Sequence, residues 1–178
     1  MFEIRPAALS EFALLPAIEA EADTAFERLD PPLSTANFPA PAEAAEYAGA
    51  FHIMVAGRPP AGFVRLELVD GQAHLEQLAV SGVYSRQGIG RALIRAAQAW
   101  AREAGFGAMT LSTFAHVPFN APLYASCGFV ELPQHAWGPQ LQDIRRREQA
   151  AGLDELGPRV VMVADLTAGD GRRQPTAE

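Results

Sequence analysis

Leu75–Val80 (LEQLAV), Tyr84–Leu93 (YSRQGIGRAL) and Phe119–Phe129 (FNAPLYASCGF) are the stretches whose reading decides the fold. LEQLAV has the apolar content of a buried strand. Gly88 and Gly90 follow it at the start of an amphipathic helix, and their missing side chains let a ligand approach the backbone closely. A helix start also leaves backbone N–H groups free and carries the positive end of the helix dipole, so strand, GIG and helix together form a cradle for phosphate. FNAPLYASCGF reads as a short helix, capped by Asn120 and stopped at Gly128, that carries Tyr124. The tyrosine is placed to act on whatever a phosphate-bearing ligand delivers.

Outward from this block, the chain reads as alternating helices and strands. Phe2–Pro6 is a short edge strand. Ser10–Arg28 has Phe12, Leu15, Ile18, Ala22 and Phe26 at helical spacing behind a capping Ser10. Asp30–Pro41 is a proline-rich loop, and Pro41–Ala48 a second short helix. Phe51–Ala56 and Ala61–Val69 are strands joined by GRPP. Asp70-Gly71 is a hairpin signal, so Ala73–Val80 runs antiparallel to its predecessor. Arg91–Ala104 turns Leu93, Ile94, Ala97 and Trp100 inward. Ala108–Ser112 and Phe129–Leu132 are strands, Leu141–Ala151 is a helix with a solvated basic run at Arg145–Arg147, and Arg159–Leu166 is the last strand. This order predicts one mixed α/β domain over residues 1–166, largely antiparallel in its first half. The polar residues 167–178 are expected to be disordered.

Composition narrows the function. The chain has 178 residues, 49% hydrophobic and 20% charged, with a net charge of −7. An acidic balance argues against a dedicated nucleic-acid binder and is compatible with a cationic substrate. All 14 basic residues other than histidine are arginines, so the protein cannot be acetylated on a lysine of its own. No apolar run approaches the ~20 residues of a membrane span. Glu3 and Arg5 stand where an export signal needs an apolar core, so no export signal and a cytoplasmic location are expected. The lone Cys127 forms no internal disulfide, suits a reducing compartment, and reads as packing beside Gly-Phe. His52, His116 and His135 lack metal-ligand spacing, so no metal is expected.

The glycine loop has a plain alternative, tight strand–helix packing. It is no dinucleotide fingerprint, since the third glycine is missing, and no P-loop, since no Gly-Lys-Ser/Thr is present. The whole run Leu75–Phe129 resembles the GNAT superfamily of acyl-CoA-dependent N-acyltransferases. That family's loop, Arg/Gln-x-x-Gly-x-Gly/Ala after a strand ending in valine, is met here by LAVSGVYSRQGIGRAL, with Ser85 in place of the first Arg or Gln. The resemblance implies a mostly antiparallel sheet of six or seven strands, splayed between the fourth and fifth, with helices on both faces. It implies that Ser85, Arg86, Gln87, Gly88, Ile89, Gly90 and Arg91 hold the pyrophosphate of acetyl-CoA. Leu78, Ala79 and Val80 are then expected to pair with the pantetheine arm like an added strand. Tyr124 takes the position of the acid that protonates the departing thiolate; its ordinary pKa of about 10 suits that task. Asn120, beyond capping, stands where a residue can bond the cofactor.

A protonated amine is no nucleophile, so a base is needed. In AHLEQLAV, residues 74, 76, 78 and 80 share one side of a regular strand and Gln77 faces the other. His74 or Glu76, or the two through a water, can be the base, and AHLxxLAV looks like serotonin N-acetyltransferase, which has histidines at both positions. Phe38 and Trp137, in segments that commonly line the acceptor pocket of this family, are expected substrate contacts. The expected activity is acetyl transfer to a primary amine of a small molecule, with no nucleic-acid or membrane partner and a homodimer as a further expectation. The alternatives are a non-catalytic acyl-CoA-binding module, and acetylation of a protein N-terminus or side chain.

Overall fold

The computed structural model describes residues 2–167. The tail expected to be disordered lies outside the described residues, apart from Thr167. Seven strands form one sheet: β1 (Ile4–Pro6), β2 (His52–Ala56), β3 (Gly62–Val69), β4 (Gln72–Val80), β5 (Ala108–Phe114), β6 (Val130–Glu131) and β7 (Arg159–Asp165). Their order is β1-β2-β3-β4-β5-β7-β6, antiparallel throughout except for the parallel β4/β5 pair. The mixed, mostly antiparallel α/β architecture expected from the sequence is the observed one.

Helix α3 (Ile89–Glu103) packs on one face. Its buried residues Ile89, Leu93, Ile94, Ala97 and Ala101 meet Val64, Leu66, Leu75, Met109 and Leu111 from the sheet. Trp100, expected inward, stays partly exposed and stacks on His52 at 3.9 Å. On the opposite face, α1 (Leu15–Asp23) and α2 (Ala44–Ala48) bury Leu15, Ile18 and Tyr47 against Ile53, Val55 and Phe63. The continuous helix expected over Ser10–Arg28 is broken. Leu9–Leu14 is a 3₁₀ segment and α1 begins only at Leu15, with Pro16 in its first turn. Proline has no N–H to give and clashes with the preceding turn, so a helix can start there but not run through. Ser10 does not cap the segment; Glu11 reaches back to the Ala8 N–H at 2.8 Å and takes a bidentate ion pair from the buried Arg5.

The Asp70-Gly71 hairpin holds, with both residues left-handed at φ 51° and 74°, the backbone of a type I′ turn. It also reaches across the fold to α5 (Pro139–Ala150). Gly138 precedes α5 without a side chain to cap it, and Asp70 accepts from the N–H groups of Gln140 and Leu141 at 2.9 and 3.0 Å.

The β4/β5 ladder is short. It pairs Ala73 with Met109 and His74 with Thr110, and beyond these the strands separate. At the last rung His74 is buried, with Nδ1 2.8 Å from Thr110 Oγ1. On its other side β4 carries a bulge. Arg65 pairs with Gln77 and Leu66 with Leu75, so Glu76 is an extra residue.

Two measurements follow. Asp70→Ala should lower the unfolding free energy in urea by about 1 kcal/mol, the usual worth of a helix cap. Asp70→Asn, which tolerates the left-handed turn, should recover part of that loss. Burial pushes His74 down to about 4 from 6.5. Between those values the unfolded chain binds a proton that the folded chain refuses. Stability from this group is therefore complete above 6.5 and falls as pH drops toward 4. The slope is at most about 1.4 kcal/mol per pH unit. Denaturation of His74→Gln should show a flatter pH dependence across that window.

Candidate active site

A cavity of about 850 Å³ occupies the gap where β4 and β5 part. One wall is the β4 edge from Glu76 to Val80, and the facing wall is Ser112–Phe114 at the end of β5. The bulge decides which side chains face where. Leu78 and Val80 turn toward α3 with Val64, whereas Gln77 and Ala79 lie on the α1 side with Arg65 and Phe63. Residues 74, 76, 78 and 80 thus do not share one side, as regular alternation predicted, because the inserted Glu76 resets the alternation. Gln77, expected to face away from Glu76, lines the cavity beside it.

The second element is the start of α3. Ser81–Gly88 forms a tight loop, with Arg86 and Gly88 left-handed at φ 62° and 78°. Gly88 offers α3 no side-chain cap, so the first amides of this helix are open to a ligand. Ser85, Arg86, Gly88, Ile89, Gly90 and Arg91 all line the cavity; Gln87 points away to solvent and does not. A Cβ built on Gly90 would meet Leu123 and Leu78 at 3.8 Å, an ordinary contact. Packing therefore does not demand glycine at position 90.

The third element is α4 (Ala121–Ala125), with Asn120 and Tyr124 facing the same cavity. Asn120 precedes α4, but its side chain makes no capping bond, contrary to the expectation; its backbone sits at φ −114°, ψ −113°, outside the usual N-cap conformation, and the residue lines the cleft. Tyr124 is 8% exposed and packs edge-on to Phe129 at 5.8 Å. Burial raises its phenol above the ordinary value and nearby Arg159 partly opposes the rise, so the hydroxyl keeps its proton at neutral pH.

Glu76 opens into the cleft with 43% of its side chain exposed, and its Oε2 lies 3.7 Å from His74 Nε2. Burial raises its pKa, with Arg65 opposing and Glu67 and Glu148 adding to the rise. The exposed surface is cavity surface walled by protein, which is how a partly exposed carboxylate still feels desolvation. His74 itself does not line the cavity; it lies behind Glu76, neutral and bonded to Thr110.

Several residues of this site were not singled out by the sequence reading. On the floor, Glu148 from α5 accepts from Ser112 at 2.7 Å and from Arg159 at 2.7 Å, and also pairs with Arg145. Arg145 further bridges to Asp154 at 2.9 Å and is half-buried, so the run Arg145–Arg147 is not wholly the solvated face expected. At the outer end, Asp23 lines the cavity and is pushed up to about 6 by burial and by Glu19. The available signal was a Glu one helical turn after Arg145 and a lone arginine opening an apolar strand. Phe38 lines the cavity, whereas Trp137 does not. Trp137 donates to the Leu132 carbonyl at 2.8 Å and packs with Val69, Leu141 and Val161 at the other end of the sheet. Among the described residues no group of three or more His, Cys, Asp or Glu could hold a metal ion. No described helix is long and apolar enough to cross a membrane.

The same fold recurs in known proteins. The ribosomal-protein-S18-alanine N-acetyltransferase from Escherichia coli is similar over 98% of this chain and 99% of its own, at 18% identity and a TM-score of 0.65. Rv2747 from Mycobacterium tuberculosis, solved in complex with CoA and NLQ, is similar over 92% and 98%, at 18% identity and a TM-score of 0.63. PaiA N-acetyltransferase from Thermoplasma acidophilum, in complex with coenzyme A, is similar over 93% and 99%, at 14% identity and a TM-score of 0.61. At such identities the likeness speaks for the fold. Residues 15–129, from the start of α1 through Phe129 after α4, match the model of the acetyltransferase (GNAT) family, and the chain belongs to that family.

Proposed function

We propose that this chain moves an acetyl group from acetyl-CoA directly onto the primary amine of a small molecule, with both substrates in the cleft at once. One observation carries the reading: the open amides of α3, the separated edge of β4 and the Tyr124 phenol all face one cavity. The residues suit coenzyme A. Gly88 and Gly90 leave the amides uncovered, Arg86 and Arg91 add positive charge beside them, and the Leu78–Val80 backbone offers an edge for an extended arm. Bound there, the thioester supplies the acetyl group and leaves as free thiol.

The proton steps belong to the protein. Glu76, its pKa raised, is the base that takes a proton from the acceptor ammonium, directly or through water. His74, held near 4, is too weak a base for that work and serves to position Glu76. Tyr124 keeps its proton at neutral pH and gives it to the departing sulfur. A backbone amide of Leu78–Val80 stabilises the negative charge that grows on the carbonyl oxygen. A non-catalytic binder would need neither the phenol nor the carboxylate. A peptide N-terminus is the second reading. A neighbouring cavity of about 440 Å³ shares Phe114 and Pro118 with the cleft, room for a longer acceptor, and the similar Escherichia coli protein acts on an alanine of a ribosomal protein.

In a free-thiol release assay, Tyr124→Phe should lower kcat roughly 10–1000-fold with little change in acetyl-CoA affinity. Unchanged turnover would remove Tyr124 from the mechanism. Gly90→Arg should abolish coenzyme A binding in calorimetry while the far-UV spectrum and Tm stay near those of the parent. Normal binding by that variant would sink the cradle.

A further inference from the structure

The loop between β4 and α3 is joined to the rest of the fold by few polar contacts. Its first residue, Ser81, donates its N–H to the Ala61 carbonyl at 2.9 Å, while the N–H groups of Tyr84 and Ser85 bond back within the loop, to Ser81 and Gly82. Among the described residues, the loop over 81–88 makes one side-chain hydrogen bond. Ser81 Oγ donates to Oε2 of Glu21 on α1 at 2.6 Å, a partner 60 residues away. Ser81 is buried. It precedes a 3₁₀ turn, Gly82–Tyr84, in the position of an N-cap, yet its side chain caps nothing. A serine in that position ordinarily accepts from an amide of the turn that follows. This one gives its hydroxyl proton to Glu21 instead.

Helix α1 is seated without help from the loop. Leu15 and Ile18 are buried with Val55, Phe63 and Ala79, and Glu19 accepts from the Tyr47 hydroxyl at 2.7 Å and from the Ala42 N–H at 3.1 Å. The helix is therefore the fixed side of the Glu21–Ser81 bond and the loop is the side that is placed. Neither residue lines the cavity, so neither touches a ligand held there. Glu21 also has the wrong charge to hold a phosphate, since a carboxylate only accepts and repels an anion. What this bond contributes is geometry. It fixes the point from which the chain runs through the left-handed Arg86 and Gly88 to the open amides of α3. The other end of the bond belongs to the helix that brings Asp23 into the cleft wall.

We infer that Glu21 is a positioning residue for coenzyme A: through Ser81 it ties the phosphate loop to α1 and sets where the loop stands relative to the cleft wall that α1 carries. The inference rests on the coenzyme A reading of the cleft for its effect on binding, but the state of the loop can be measured with no ligand present.

Coenzyme A binding to the full chain is measured by calorimetry for the parent, Glu21→Ala, Glu21→Gln, Ser81→Ala and the variant carrying both alanines. Amide hydrogen exchange of residues 82–90 is followed in the same proteins without ligand. Each single alanine variant should weaken coenzyme A about three- to tenfold, the scale of one side-chain hydrogen bond. The double variant should lose no more than the larger single loss, because both changes remove one bond. Glu21→Gln keeps an acceptor oxygen and drops the charge, so it should bind coenzyme A much as the parent does. The loop amides should exchange faster in both alanine variants and near the parent rate in Glu21→Gln. If Glu21 acts through its charge, Glu21→Ala and Glu21→Gln both bind coenzyme A more tightly than the parent, and that result overturns the inference. Losses that add in the double variant, or loop exchange unchanged in both single alanine variants, overturn it too. Glu21 is exposed and Ser81 buried, so the first variant stands if the second fails to fold. Equal coenzyme A binding by the parent and every variant removes Glu21 from the role and leaves the coenzyme A reading in place. A parent that takes up no coenzyme A overturns that reading, and the ligand-free exchange then decides alone whether Glu21 holds the loop.

Discussion

A parallel ladder two residue pairs long holds β4 to β5, and the site exists because that ladder stops. A bulge increases local twist and bends the strand that carries it. With Glu76 inserted between Leu75 and Gln77, β4 leaves its parallel neighbour just past the His74–Thr110 rung. Beyond that rung the β4 backbone lacks a partner strand on one side, and buried backbone polar groups need partners. Such an edge is satisfied by water or by an extended ligand. The His74–Thr110 bond sits at the fork and ties the two strands where the separation begins.

The cleft is held open by polar contacts that reach over long sequence separations. Glu148 brings α5 to the floor through Ser112 and Arg159, partners 36 and 11 residues away. Asp70 fixes the other end of the same helix from the β3–β4 turn, 70 residues before it. On the opposite side, Arg5 and Glu11 join β1 to the 3₁₀ segment that leads into α1, and Arg5 also donates to the Gly57 carbonyl at 2.9 Å. Buried ion pairs are weak sources of net stability, but breaking one leaves a costly unpaired charge. Their effect here is to fix where α1 and α5 stand over the sheet, and so the width of the cleft between them.

Local signals were legible and non-local ones were not. The glycine loop, the amphipathic face of α3 and the Asp70-Gly71 turn each depend on residues within one element, and each took the form expected from the sequence. The bulge depends on how β4 registers against β3, and nothing in AHLEQLAV marks one residue as extra; alternation therefore misplaced Leu78, Val80 and Gln77. Pro16 was a readable break inside the first helix that apolar spacing overrode. Asn120 is in the position of a cap, yet its backbone is outside the N-cap conformation and its side chain makes no capping bond. Trp137 and Glu148 show the general difficulty. Both lie in the last third of the chain, and the strand order β5-β7-β6 sends one to a satellite core and the other to the cleft.

Glu76 ties these strands of argument together. A bulged residue stands outside the two-residue alternation, so its side chain is not committed to the core beneath either face. The residue that parts the sheet therefore also offers its carboxylate to the space it creates, with the neutral His74 behind it and Arg65 and Glu148 acting on it from opposite signs. Moving that carboxylate one position along β4 would place it on a regular register position, either against α3 with Leu75 or beside Arg65 with Gln77. The first would turn it out of the cleft, and the second would leave it on a paired rung beside Arg65 instead of at the point where the strands part. The opening of the sheet and the position of the proposed base are thus two consequences of one inserted residue.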